Sequence, residues 1–191
     1  MTVQDDLITT ETETDTATGT ATDTDADAVT GARVEVELTF PVAPERLWDV
    51  ITDVSRIGEF SPECKAAGWL DAAAPGPRAG ARFQARNEFP GGHSVPVSCL
   101  VTEAERPHTY AWVVLDPQDD PKAPSSAWRY ELLPGAEPGT TLARHCFTHG
   151  SGDSGARKAA QGDPAALRER LDVLRANMTA TLTAMAAAAA A

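Results

Sequence analysis

Four side chains of this 191-residue chain suit acid–base or electrophilic chemistry by type and position: Glu63, His93, Arg144 and His145. His93 is in phase with Val95 and Val97. Inside a cavity its imidazole is a general base near neutral pH; at a strand end beside Gly91 and Gly92 it is a partly wet surface group. Thr141, Ala143, His145 and Phe147 alternate with Leu142, Arg144 and Cys146, so one of Arg144 and His145 must face inward. An inward Arg144 would hold a carboxylate or polarise a carbonyl. The alternative is that both are covered by a helix or by solvent. Glu63 follows Ser61 and Pro62. Desolvated, it would act as an acid or base; solvated, it is an ordinary carboxylate at the start of a strand. His108, after Pro107, and His149, ahead of a Gly-rich run, read as surface residues.

A second group suits ligand contact. Asn87 shares the apolar face of its strand with Phe83, and a polar side chain there needs a partner, either a hydrogen-bond network or a ligand. Tyr110 and Trp112 fall on one candidate strand, Trp128 and Tyr130 on another. Inward, these rings would stack on a planar guest; otherwise they fill a core. The two tyrosine hydroxyls are also candidate proton donors. Met178 lies on an apolar helical stripe and is placed with the ligand-lining residues.

Other chemistries are missing. There is no G-x-S-x-G, no phosphate-binding G-x-x-x-x-G-K-[ST] and no G-x-G-x-x-G between a strand and a helix. Asp116, Asp119 and Asp120 lack calcium-loop spacing. Cys64, Cys99 and Cys146 are odd in number and scattered, as expected of reduced thiols in a cytoplasmic protein. No metal and no cofactor is expected. Net charge is −12, and residues 1–32 carry eight of the acids with no base, leaving the rest at −4. With no basic field, nucleic-acid binding is not expected. No run is apolar enough for membrane insertion, and the N-terminus has no secretion signal.

These residues need elements to hold them. Residues 1–32 are too poor in large apolar side chains to fold and are expected to be a disordered acidic tail. Arg33 to Phe40 alternates strictly, as a half-buried strand does. Pro44 opens a helix carrying Leu47, Trp48, Val50 and Ile51. Asp53 is placed to cap a second short turn that Ile57-Gly58 ends. Strands are expected at 63–71, 80–89, 93–104, 108–115, 125–133 and 140–148, joined by short Pro/Gly turns into an antiparallel meander. Residues 149–162 read as a mobile loop. Asp163-Pro164 opens a long helix with Leu167, Leu171, Leu174, Met178, Leu182 and Met185 on one stripe. The Ala end, 186–191, reads as fraying.

The stretch from Phe40 to Val54, with Trp48 in the first helix, resembles the opening of the START-like superfamily (SRPBCC), the polyketide cyclase/dehydrase and lipid-transport group. Arg56 to Cys64 and Gly80 to Phe83 are similar to bacterial single-domain members. The resemblance covers residues 33–185. It implies an α+β helix-grip fold: a curved seven-stranded antiparallel sheet around a long C-terminal helix, with two short helices after the first strand. It implies an internal cavity for a small hydrophobic, polyketide- or aromatic-like molecule, with cofactor-independent cyclisation or dehydration as the attached activity. A lipid or isoprenoid carrier and a chaperone-activator-type module are the alternatives within the group. The expected protein is a cytoplasmic monomer or homodimer.

Overall fold

Alternating apolar and charged residues build β1 (Arg33–Phe40) in the computed structural model, which describes residues 29–89 and 91–191. Val34 and Val36 are buried while Glu35 and Glu37 face the other way. The segment 1–28 of the expected tail lies outside the described residues. Residues 29–32 lead into β1: Val29 is 1% exposed and the Gly31 N–H donates to the His149 carbonyl at 2.8 Å.

Pro44 sits in the first turn of α1 (Pro44–Thr52), with Glu45 beside it, where its charge suits the helix dipole. Leu47, Trp48, Val50 and Ile51 are buried on one side. A 3-10 turn, Val54–Arg56, then leads into α2 (Ile57–Phe60). One local expectation is corrected here. The Asp53 carboxylate does not cap a backbone N–H; it accepts the Ser55 hydroxyl at 2.5 Å. Ile57 ends the 3-10 turn as expected, and α2 follows from it directly, with Gly58 lying so close to the Lys65 carbonyl that a Cβ would collide.

Six further strands follow: β2 (Cys64–Trp69), β3 (Arg82–Phe89), β4 (His93–Glu105), β5 (Thr109–Val114), β6 (Ser126–Pro134) and β7 (Thr141–His149). All pairings are antiparallel, in the order β1-β7-β6-β5-β4-β3-β2. The meander is that expected from the turns, with β1 returned beside β7. Register shifts at Cys64/Ala66 and Val101/Glu103 break the ladder, as bulges do where a sheet bends.

The segment 149–162 differs from expectation. It is not a simple loop but contains α3 (Gly155–Gly162), capped by Ser154, whose hydroxyl accepts the Arg157 N–H. Gly150 and Gly152 press against the Pro124 and Ala123 carbonyls, where a Cβ would collide. That contact folds the segment back. It buries His149, expected at the surface, whose Nδ1 lies 2.9 Å from the Gly150 carbonyl and Nε2 2.8 Å from Ser154 Oγ. Arg157 Nη2 donates to Thr30 Oγ1 and the Gly150 carbonyl, at 2.8 and 2.7 Å.

Asp163 caps α4 (Pro164–Ala190) by accepting the Ala165 N–H. Leu174, Met178, Leu182 and Met185 are buried, each contributing roughly 1.5–3 kcal/mol of transfer free energy. The Ala end does not fray. Helix runs to Ala190, with Ala186 and Ala189 in one core cluster with α1 residues Leu47, Trp48 and Ile51. Small side chains let the two helices come together there. This is the α+β arrangement of a curved antiparallel sheet and a long C-terminal helix.

Candidate functional site

The register defines one inner face. Val36, His145, Tyr130, Tyr110 and Ala104 are cross-strand neighbours in one row, and Val34, Phe147, Trp128, Trp112 and Val101 form the next. Beyond them lie Val114, Cys99 and Phe83, then Val97 with Ala85, and Val95 with Asn87.

Coverage of this face is uneven. Tyr110, Tyr130, Leu132, Ala143 and Met185 belong to one buried cluster with α1 and the C-terminal half of α4. Val34, Val36, Phe147, Leu174 and Met178 form a second. Between and beside them, Trp69, Val97, Asn87, Trp112, Val114 and Trp128 are only half-buried, as are Leu167 and Leu171 on α4. The sheet face under the last turns of α4 is therefore fully covered, and the face under its first turns is covered less completely, with several aromatic rings among the half-buried residues.

Those rings form a continuous run. Trp112 and Trp128 are parallel within 2°, with centroids 5.9 Å apart. Phe83 lies 6.3 Å from Trp112 and 5.5 Å from Trp69. Phe147 meets Trp128 edge-on at 4.9 Å. A half-buried Trp pair offers aromatic surface to a flat apolar partner.

The polar groups are few. His145, not Arg144, points inward. Its ring stacks on Tyr130 at 3.9 Å and neither nitrogen has a hydrogen-bond partner. Burial pulls its pKa down to about 3, so the imidazole is neutral. The Tyr110 hydroxyl is likewise buried and unpartnered, and burial pushes its pKa well up. The Tyr130 hydroxyl contacts Met185 Sδ at 3.9 Å, and burial raises it too.

The remaining candidates lie elsewhere. Arg144 faces outward into an ion-pair ladder with Glu37 at 2.8 Å and Glu131 at 2.9 Å, because strand alternation puts it opposite His145. His93 is exposed at the β3–β4 turn, so its in-phase position brings it to solvent and not into a cavity. Glu63 is only 16% exposed and sits at the rim. Both its oxygens bind the Arg170 guanidinium, at 2.6 and 2.7 Å, and Asn177 Nδ2 adds a third contact at 3.3 Å. Arg170 in turn lies over the Phe89 ring at 5.4 Å. Asn87 is half-buried on the inner face near this clasp, paired in register with Cys64. Phe83 and Met178 are buried in the two core clusters.

Arg170 and Asn177 were not among the sequence candidates. Their signal is spacing: seven residues apart, they run along the border of the apolar stripe of α4. Among the described residues no cluster of His, Cys, Asp and Glu could hold a metal ion, and no helix is long and apolar enough to cross a membrane. A separate surface depression of about 480 Å³ is lined by Leu70, Asp71, Arg78, Gly80, Ala81 and Arg82; it shares only Ala81 with the core.

A sheet curled round a long helix, with a half-covered aromatic face between them, defines a helix-grip protein. The chain belongs to the polyketide cyclase / dehydrase and lipid transport family, whose model matches residues 31–189. Solved structures share the fold. A protein from Nitrosomonas europaea aligns with TM-score 0.56 and 18% identity, over 81% of this chain and 91% of its own. A polyketide-cyclase-like protein from Corynebacterium glutamicum aligns with TM-score 0.51 and 24% identity, over 81% and 87%. A Mycobacterium smegmatis protein gives 0.54 and 18%, over 85% and 91%. No curated protein matches the sequence.

Proposed function

We propose that the protein binds a small, flat, hydrophobic molecule in a hollow between the sheet and the first turns of α4. The observation that carries this reading is the Trp112–Trp128 pair. Two parallel indoles at the centre of a curved sheet both stay half-buried, which leaves part of their large apolar surface uncovered on the inner face. A guest stacked on them would remove that apolar area from water. Family membership supports the same reading.

Binding stands ahead of turnover as the reading. A general acid or base works best with a pKa near the operating pH. His145 faces inward but is neutral and resists protonation. Glu63 spends both oxygens on Arg170, Arg144 faces outward and His93 is in solvent. What this site offers a guest is shape, aromatic surface and a few neutral hydrogen-bonding atoms.

Native mass spectrometry of protein purified from its own host tests the proposal. The expected result is a co-purified small molecule that denaturation releases, and whose return quenches tryptophan fluorescence. Protein that carries no guest and takes up no apolar dye such as Nile red would overturn it.

A further inference from the structure

We infer that the inner end of the hollow takes an uncharged hydroxyl-bearing group, a phenol or an alcohol, and rejects a carboxylate. This rests on the guest-binding reading above, but its ground is separate. Among the described residues three buried side-chain polar atoms have no partner: Tyr110 Oη, His145 Nδ1 and His145 Nε2. Native proteins pair the great majority of such atoms. Tyr110 is 2% exposed and His145 4% exposed, so bulk water does not serve them.

The two residues that carry these atoms lie in one row, Tyr110 on β5 and His145 on β7, each a direct cross-strand neighbour of Tyr130 on β6 between them. The middle ring is engaged: its hydroxyl meets Met185 Sδ and its face carries His145. The outer two are left with open valences on the inner face. The rest of the row, Val36 and Ala104, is apolar and supplies no partner.

The chemistry of the orphans selects the guest group. A neutral imidazole presents one N–H and one lone pair, and a phenol presents one O–H with acceptor capacity. A hydroxyl complements either one, since it donates to the lone pair or accepts from either hydrogen. A carboxylate only accepts, and once buried it needs a counter-charge. None is at hand. Arg129 and Arg144, on the same strands, point to the outer face and are held by Glu103, Glu131 and Glu37. Arg170 stands at the rim in the grip of Glu63.

Displacement of bound Nile red by naphthalene, 2-naphthol and 2-naphthoate at neutral pH separates the terms. All three share one flat ring system. Wild type should prefer 2-naphthol to 2-naphthoate by at least about tenfold and to naphthalene by about threefold, the worth of a net hydrogen bond. Tyr110→Phe and His145→Phe should each shrink the ratio of naphthol to naphthalene affinity, read within the same variant, at least about twofold. Equal affinity for naphthol and naphthoate, or variants that keep the full naphthol advantage, would overturn the inference. If naphthalene binds and naphthol gains nothing, water fills the valences and this inference alone fails. If neither Nile red nor naphthalene binds, the guest-binding reading fails and takes this one with it. Should His145→Phe not fold, Tyr110→Phe, which removes one oxygen, decides.

Discussion

His145 lies face to face on Tyr130, ring centroids 3.9 Å apart and planes 17° from parallel, with both imidazole nitrogens bare. The stack shows how the inner face tolerates a polar residue: the ring is kept neutral and packed as an aromatic. Trp128, two residues from Tyr130 on β6, lies 5.5 Å from the same imidazole.

That packing has a pH consequence. The folded pKa of His145 is about 3, below the ordinary histidine value of 6.5. Between the two, the unfolded chain binds a proton that the folded one refuses. Stability therefore falls as pH drops below about 6.5, by up to about 1.4 kcal/mol per pH unit from this group, and is fully restored above it. His145→Phe removes the titration. The drop in Tm between pH 7 and about pH 4.5 should be smaller in the variant than in wild type. Equal drops would mean that the imidazole protonates inside the fold.

Trp128 separates site from scaffold. It is half-buried, so truncation should cost less than the roughly 3–5 kcal/mol of a fully buried Trp. Trp128→Ala should weaken Nile red binding by about tenfold while lowering stability by less than about 2 kcal/mol. A large loss of stability with unchanged dye affinity would make Trp128 a core residue.

The Glu63–Arg170 clasp ties the rim to α4. Its guanidinium binds bidentately, and the side chains are 16% and 29% exposed, which puts it above an ordinary surface ion pair. Arg170→Ala should lower stability by about 1–2 kcal/mol in urea unfolding and speed release of bound dye in stopped flow. Unchanged release would show that the rim does not restrain the guest.

Gly58 tests the packing of α2 on β2. A Cβ there collides with the Lys65 backbone carbonyl, so Gly58→Ala should cost about 1–3 kcal/mol. Gly68→Ala meets nothing within 4 Å and serves as the control, expected to stay within about 0.5 kcal/mol. A harmless Gly58→Ala would mean that α2 moves away from β2 readily.

Strands and the long helix were legible because each carries its own period. Alternation in Arg33–Phe40 and the stripe from Leu167 to Met185 report burial directly. Residues 149–162 were misread because Gly and Ser are ambiguous locally. The glycines there are loop-like in composition, but their use is close approach to the Ala123 and Pro124 carbonyls, a contact between distant segments. The Ala end was misread for a related reason. Alanine has little apolar surface to signal burial, yet that smallness is what α1 needs from Ala186 and Ala189.

The site divides along the same line. Alternation alone required that Arg144 and His145 take opposite faces, and it put Phe83 and Asn87 together. Which of the pair turned inward depended on the register of β7 against β6, which sets His145 on Tyr130 and Arg144 beside Glu131. The clasp of Glu63 by Arg170 joins positions 107 residues apart. The bare nitrogens of His145 depend on what every neighbouring strand places around them. Periodicity is a property of a segment and can be read from it. Pairing, solvation and how far a helix covers a sheet are properties of several segments at once, and only their packing decides them.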